Sequence, residues 1–277
     1  QVVAQPEHSA KPVIAFRRWM RAASPVLVNI MTPAVDWAWV SRFLERPAEA
    51  RAPPLAGCGM VLLNTPLAPQ RLRHLWANSE VHICADGSAD RLLEACSDLT
   101  PEAVVGDFDS ASLRAREEYR RRGSMVQRIE DQNTTDLEKA LAEARSRKCT
   151  ATVIAGDFSG VEGRLDHTFG IINALYTLKE ERLAVIGSTS FMLLLHPGEH
   201  LISVPDVDDA PHCGLVPLRG PCERISTTGL RWDMTDARMD FGGLVSVCNR
   251  VEPSSGGRVC VRVSDPVVWT CTLPTPE

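Results

Sequence analysis

Five acidic side chains fall in three short motifs, GDFDS at 106–110, DQNTTD at 131–136 and GRLDH at 163–167, each at an expected strand end or helix start. Asp107, Asp109, Asp131, Asp136 and Asp166 would repel one another if a fold gathered them without a cation. The pattern therefore points to a hard, oxygen-seeking metal, Mg²⁺, and to the polyphosphate that such an ion neutralises. The GxxxxGK[ST] phosphate loop does not occur in the sequence, so phosphate binding must rest on the metal, on arginine and on helix N-termini.

Each motif also has a purely structural interpretation. Asp109 and Ser110 fit the start of a helix running through Leu113 and Tyr119, Asp136 fits the first turn of the next helix, and Asp86-Gly87 fits a turn. Capping explains neither the Gly106-Asp107 pair nor Arg164 two residues before Asp166. His167, His196, His200 and His212 lack metal-site spacing and fit structural or surface roles, although His167 follows Asp166 directly. Trp232 in STTGLRW, on spacing alone, fits a core position better than a ligand-stacking one.

The elements that must position these residues are legible from Gly59 onward. Apolar runs at 60–63, 81–85, 103–105, 151–155 and 183–186 alternate with helical stretches, the pattern of a parallel α/β sheet. Leu137, Ala140, Leu141 and Ala144 recur at helical spacing, and Thr135 with Glu138 forms a capping box that puts Asp136 in the first turn. The strands end in Asn64, Asp86, Gly106-Asp107 and Gly156-Asp157, so polar groups collect at the carboxyl edge, where open α/β sheets bind ligands. After about Ser188, short apolar segments at 201–204, 214–218, 244–247, 259–263 and 267–273 are broken by Pro and Gly with no helical period. The expected fold is an α/β N-terminal domain with a parallel sheet plus an all-β sandwich C-terminal domain. The divisions are an N-terminal extension at 1–58, poorly ordered in part, then 59–187 and 188–277.

Composition bounds the function classes. The chain has 277 residues, 44% hydrophobic and 23% charged, with a formal net charge of −5, which gives no general basic footprint for nucleic acid. The run Arg120–Arg121–Arg122 fits a solvated helix face. Nine cysteines without a C-x-x-C pair fit reduced thiols in a cytoplasmic protein. No apolar run approaches the roughly 20 residues that span a bilayer. The sequence starts at Gln1, and Lys11, Arg17, Arg18 and Arg21 lie in a stretch without acids. That stretch fits a targeting segment, upstream read-through or a cloning remnant, with Met31 a candidate start.

Five collinear stretches carry a family likeness: CADGSADRL at 84–92, GDFDS at 106–110, DQNTTDLEKAL at 131–141, GRLDHTFGIINAL at 163–175 and STTGLRWDM at 226–234. Together, from about Met60 to Trp269, the chain resembles the eukaryotic thiamine pyrophosphokinases. The resemblance implies a homodimer with active sites at the subunit interface, transferring the diphosphoryl group of ATP to the hydroxyl of thiamine to give thiamine diphosphate and AMP. It makes 59–187 the catalytic part for ATP and Mg²⁺, and 188–277 the thiamine-binding part. By motif position it implies Asp107, Asp109 and Asp136 as Mg²⁺ ligands, with Asp86 nearby as a cofactor-binding residue. Gln132, Arg164 and Asp166 would lie around the polyphosphate and the attacking hydroxyl, Asp166 as base or orienter. Trp232, Ser226, Thr227, Thr228, Ser246 and Asn249 would hold thiamine, from the partner subunit.

Three positions depart from the family pattern: Ser88 and Asp90 stand where Gly and Asn are usual, and Asn133 where Asp is common. Asp90 and Asn133 change local charge in opposite directions, as a compensating pair would. Another Mg²⁺-dependent phosphotransferase, a thiamine-binding sensor and a purely structural module remain as alternatives.

Overall fold

Runs of β-branched and small apolar residues with no polar face can form strands only where both sides are covered. Such runs make the centre of this fold. The computed structural model describes residues 33–45, 53–158, 164–205 and 210–273. The basic stretch at 11–21 and Met31 lie outside the described residues.

Strands β2 (Cys58–Leu62), β3 (Val81–Ala85), β4 (Ala103–Gly106), β5 (Met125–Arg128), β6 (Ala151–Ala155) and β7 (Leu183–Ile186) pair in parallel in the order β7-β6-β2-β3-β4-β5. Five of the six coincide with the expected runs. The sixth, β5, is a four-residue edge strand whose Gln127 and Arg128 face solvent, so it carries no apolar run to recognise.

β7 then pairs antiparallel with β8 (Ser190–Leu195), Val185 opposite Met192 and Ile186 opposite Phe191. From there the same sheet continues through β15 (Val267–Thr272) and β10 (His212–Val216) to β13 (Ser246–Arg250). The change near residue 188 is thus a switch from parallel to antiparallel pairing inside one ten-stranded sheet. A second sheet, ordered β1-β9-β14-β11-β12, contains β1 (Val35–Asp36), β9 (Gly198–Ser203), β14 (Arg258–Val263), β11 (Cys222–Thr228) and β12 (Ala237–Met239). It closes the sandwich by burying Ile202, Ile225, Val259, Val261 and Met239 in one core with Phe191, Leu193, Leu215 and Trp269. An α/β part followed by a β-rich part is the fold class expected, and the two parts share a sheet.

The lead-in at 1–58 is not uniformly loose. Helix α1 (Ala38–Leu44) buries Val40, Phe43 and Leu44, and β1 before it pairs in parallel with β9. The spacing of Trp37, Val40, Phe43 and Leu44 is an amphipathic helix signal, obscured by the basic and Pro-rich stretches on either side.

Helices α2 (Pro69–Asn78), α3 (Ser88–Ala95) and α4 (Leu113–Arg121) contribute Leu75, Leu92 and Tyr119 to the core shared with the second sheet. Helices α5 (Asp136–Ser146) and α6 (Leu165–Thr177) cover the other face through Leu137, Leu141, Ile171 and Leu175, against Val61, Ile83 and Ile154. The capping box is formed: Glu138 N–H donates to Thr135 Oγ1 at 3.2 Å, and Thr135 N–H donates to Glu138 Oε2 at 2.8 Å. Thr135→Ala removes that cap, so chemical denaturation should register a loss of about 1 kcal/mol in unfolding free energy. Among the described residues no helix is long and apolar enough to cross a membrane.

Candidate functional site

β3 and β4 are adjacent parallel strands, with Ala85 in register with Val105, so the residues just past their carboxyl ends emerge side by side. Those residues are Asp86 and Asp107. α5 packs across β2, β3 and β4 with its N-terminus at the same edge, which brings Asp136 to them. One carboxylate oxygen from each of Asp86, Asp107 and Asp136 lies within 4.8 Å of the other two. Three convergent carboxylate oxygens are the donor set a hard divalent cation takes, and their like charge gives them reason to hold one.

The backbone around Asp86 is specialised. Its φ is 44°, a left-handed conformation uncommon outside Gly, and its carboxylate accepts the N–H groups of Ser110 at 3.0 Å and Ala111 at 3.4 Å. Asp86 is buried. Burial is the main reason its pKa is raised, and the nearby carboxylates of Asp136 and Asp109 add to it against those two N–H groups. Asp86 is therefore a member of the convergent set, and a simple turn does not describe it. Asp109 stands against Asp86 outside that set and accepts the Ser110 hydroxyl at 2.8 Å. Nor does Asp109 start a helix: α4 begins at Leu113, capped by Ser112, whose hydroxyl accepts Ala115 N–H at 3.1 Å.

Gly106 makes the close approach possible. A Cβ there would stand 2.7 Å from Asp86 Cβ and 3.0 Å from its Cα. Gly106→Ala must therefore push Asp86 out of position. Thermal unfolding should show a loss of about 1–3 kcal/mol, the usual cost of overpacking, and a Mg²⁺ titration of activity should shift to higher metal concentration.

Gln132 joins the site directly, its Nε2 donating to Asp107 Oδ2 at 3.1 Å. That bond is the first cause of the lowered Asp107 pKa, followed by Asp109 N–H. Asp131 is not one of the three convergent carboxylates: it accepts Asn133 N–H at 2.9 Å, Asn133 Nδ2 at 3.0 Å and Thr134 Oγ1 at 2.9 Å, which shapes its own loop. Arg164 and Asp166 form a forked pair at 3.1 and 2.5 Å, both exposed, and the guanidinium holds the Asp166 carboxyl below its usual range. Among the described residues no hydrogen bond or ion pair links that pair to the three convergent aspartates.

The departures at 90 and 133 have separate local uses. Asp90 accepts both the backbone N–H, at 2.8 Å, and the hydroxyl of Ser112, the residue that caps α4. Asn133 gives Asp131 a donor where an acid would give repulsion. Their charge changes are not coupled to each other by any contact among the described residues. Ser88 is fully buried at the start of α3.

In the β part, Trp232 is 55% exposed, which rules out the core role that spacing favoured. The Arg231 guanidinium lies 5.1 Å from its ring centre. Buried Asn249 clamps the Trp232 backbone, accepting its N–H at 3.2 Å and donating to its carbonyl at 2.9 Å. Thr227 Oγ1 donates to Asp233 at 3.0 Å and accepts Met234 N–H at 2.9 Å, and Ser226 Oγ accepts Asp236 N–H at 2.9 Å. These three side chains thus build the loop that presents Trp232. Thr228 is exposed on β11, and half-buried Ser246 sits opposite Leu215 at an irregularity in β13. His167 is exposed, whereas His200 is buried, takes Trp37 Nε1–H on Nδ1 at 3.1 Å and meets the His196 carbonyl at 2.7 Å, a structural role.

One residue of the site escaped sequence reasoning. Lys139, one turn after Asp136, is buried with its Nζ 3.1 Å from Asp136 Oδ1. The Asp-x-x-Lys spacing in a helix already signalled that pair.

Fold and site together define a two-part protein, an α/β sheet with three convergent carboxylates at its carboxyl edge and a β layer that presents an exposed tryptophan. Comparison with known proteins is specific. Residues 72–186 match the family model described as thiamin pyrophosphokinase, catalytic domain, and residues 199–268 the one described as thiamin pyrophosphokinase, vitamin B1 binding domain. Thiamine pyrophosphokinase 3 of Oryza sativa subsp. japonica is 31% identical over 238 residues, covering 79% of this chain and 88% of the relative. Thiamine pyrophosphokinase 1 of Arabidopsis thaliana is 28% identical over 237 residues, 77% of this chain and 85% of the relative. Among solved structures, thiamin pyrophosphokinase from Candida albicans superposes with a TM-score of 0.67 at 25% identity, over 78% of this chain and 89% of that one. The yeast enzyme's fold superposes at 0.70 with 20% identity, over 88% and 92%. The chain belongs to the thiamine pyrophosphokinase family.

Proposed function

We propose that this chain transfers the diphosphoryl group of ATP to the hydroxyl of thiamine, releasing AMP and thiamine diphosphate. The observation that carries the assignment is the meeting of Asp86, Asp107 and Asp136 at the carboxyl edge of the sheet in a member of this family. Their oxygen donors suit Mg²⁺, which when bound would offset the negative charge of the phosphates as it develops in the transition state.

The chain's own residues supply positioning. Gln132 fixes the Asp107 carboxylate, and the N-terminus of α5 adds its dipole at the phosphate side. Arg164 offers a forked donor to phosphate oxygens once ATP competes for its pairing with Asp166. Asp166, held ionised by Arg164, is a weak base, so its role is to orient the attacking hydroxyl by accepting its hydrogen bond. Asp109 stands beside Asp86 at the margin of the convergent set and adds negative charge next to it.

Residues 59–187 bind ATP and metal, and 188–277 bind thiamine with Trp232 stacked on one of its rings. The working unit is a homodimer with each site shared between subunits. Support comes from exposed apolar side chains on both parts: Leu165 and Phe169 one turn apart on α6, and Trp232, Phe241, Leu244 and Val247 in the β part. Nine free thiols support a reducing compartment, the cytoplasm.

The test is product identity by ³¹P NMR after incubation with ATP, Mg²⁺ and thiamine. AMP with thiamine diphosphate is expected. ADP with thiamine monophosphate would replace the assignment with simple phosphoryl transfer.

A further inference from the structure

Lys139 is a charged side chain only 4% exposed, held among the described residues by one ion pair, 3.1 Å to Asp136. Burying an ammonium is costly unless opposite charge surrounds it. Here the surrounding charge is the acidic group itself. Asp136, which Lys139 pairs with, presents an oxygen within 4.8 Å of one from Asp86 and one from Asp107. Asp86, Asp107 and Asp136 with Lys139 therefore form one electrostatic unit, in which the single positive charge offsets part of the repulsion among the convergent carboxylates.

We propose that Lys139 is a built-in counter-cation: it keeps the three aspartates together while no metal is bound, and it lowers their affinity for the bare ion so that metal binds firmly only with the nucleotide's phosphates. This rests on the assignment of those aspartates as the metal site. The physical reason is competition. A unit positive charge a few ångströms from the ion opposes it, and the negative phosphates of the nucleotide offset that opposition. Metal would then be taken up with ATP and be released more readily once both phosphate-bearing products have left. A residue that merely supported the fold would act in the opposite direction, since its loss would loosen the site and weaken metal binding.

The test uses the full chain, Mn²⁺ as a paramagnetic probe and electron paramagnetic resonance of the unbound ion, with and without α,β-methylene-ATP. Lys139→Met should bind Mn²⁺ alone about tenfold more tightly than wild type, the scale expected for one nearby charge. It should gain much less in the presence of the nucleotide analogue, and Lys139→Arg should restore the wild-type values. Folded Lys139→Met that binds bare Mn²⁺ no more tightly than wild type overturns the proposal. If Lys139→Met fails to fold in EDTA, millimolar Mg²⁺ or the added change Asp107→Asn should recover folding, and failure of both also overturns it. Wild-type protein that takes up no Mn²⁺ even with the nucleotide analogue would instead remove the metal assignment, and this inference with it.

Discussion

Asp107→Asn is expected to lower kcat about 10³-fold while the protein stays folded. The substitution keeps the size of the side chain and one oxygen to accept from Gln132 or Asp109 N–H, but it removes one of three negative charges that converge within 4.8 Å. A metal ligand that stabilises charge in phosphoryl transfer is worth several kcal/mol, and about 4 kcal/mol is a factor of about 10³ in rate. Steady-state kinetics at saturating ATP and thiamine would check it, with circular dichroism as the control for folding. A loss below tenfold would mean that Asp107 does not hold the metal during the chemical step.

Trp232→Ala should raise KM for thiamine about 30-fold and leave KM for ATP near its wild-type value. Thiamine carries a cationic thiazolium and a flat aminopyrimidine, and an aromatic face binds such a ring with about 2 kcal/mol when water is excluded. Arg231 already sits over the indole at 5.1 Å, so thiamine must use the opposite face. Trp232→Phe should recover part of the affinity. If instead Trp232→Ala changed only stability, the exposed indole would belong to a subunit contact and the thiamine site would lie elsewhere.

The features legible in the sequence were those written into consecutive residues. The start and buried face of α5 could be read because Thr135, Glu138 and the apolar stripe at 137, 140, 141 and 144 sit within a dozen positions, and the observed capping box and burial follow them. The parallel strands could be read because both of their faces are covered, which leaves no polar position to confuse the run.

What could not be read depends on register and packing between distant segments. Asp86 joins Asp107 and Asp136 because β3 and β4 align Ala85 with Val105 and because Gly106 leaves room for it, neither of which is visible in DGS or GDFDS alone. The exposure of Trp232 follows from Asn249 clamping its backbone across 17 residues. The continuity of the ten-stranded sheet rests on β8, whose pairing partners β7 and β15 come from the two halves of the chain. Local pattern gives elements, and long-range register decides which of their end residues meet.

The most direct test of the account follows AMP and thiamine diphosphate in the same samples of metal-stripped protein with ATP and thiamine, as Mg²⁺ is added back. The prediction is AMP release that requires both Mg²⁺ and thiamine and matches thiamine diphosphate one to one, with Asp107→Asn lying near background throughout. AMP formed equally without thiamine, or thiamine diphosphate formed equally in the presence of EDTA, would contradict it.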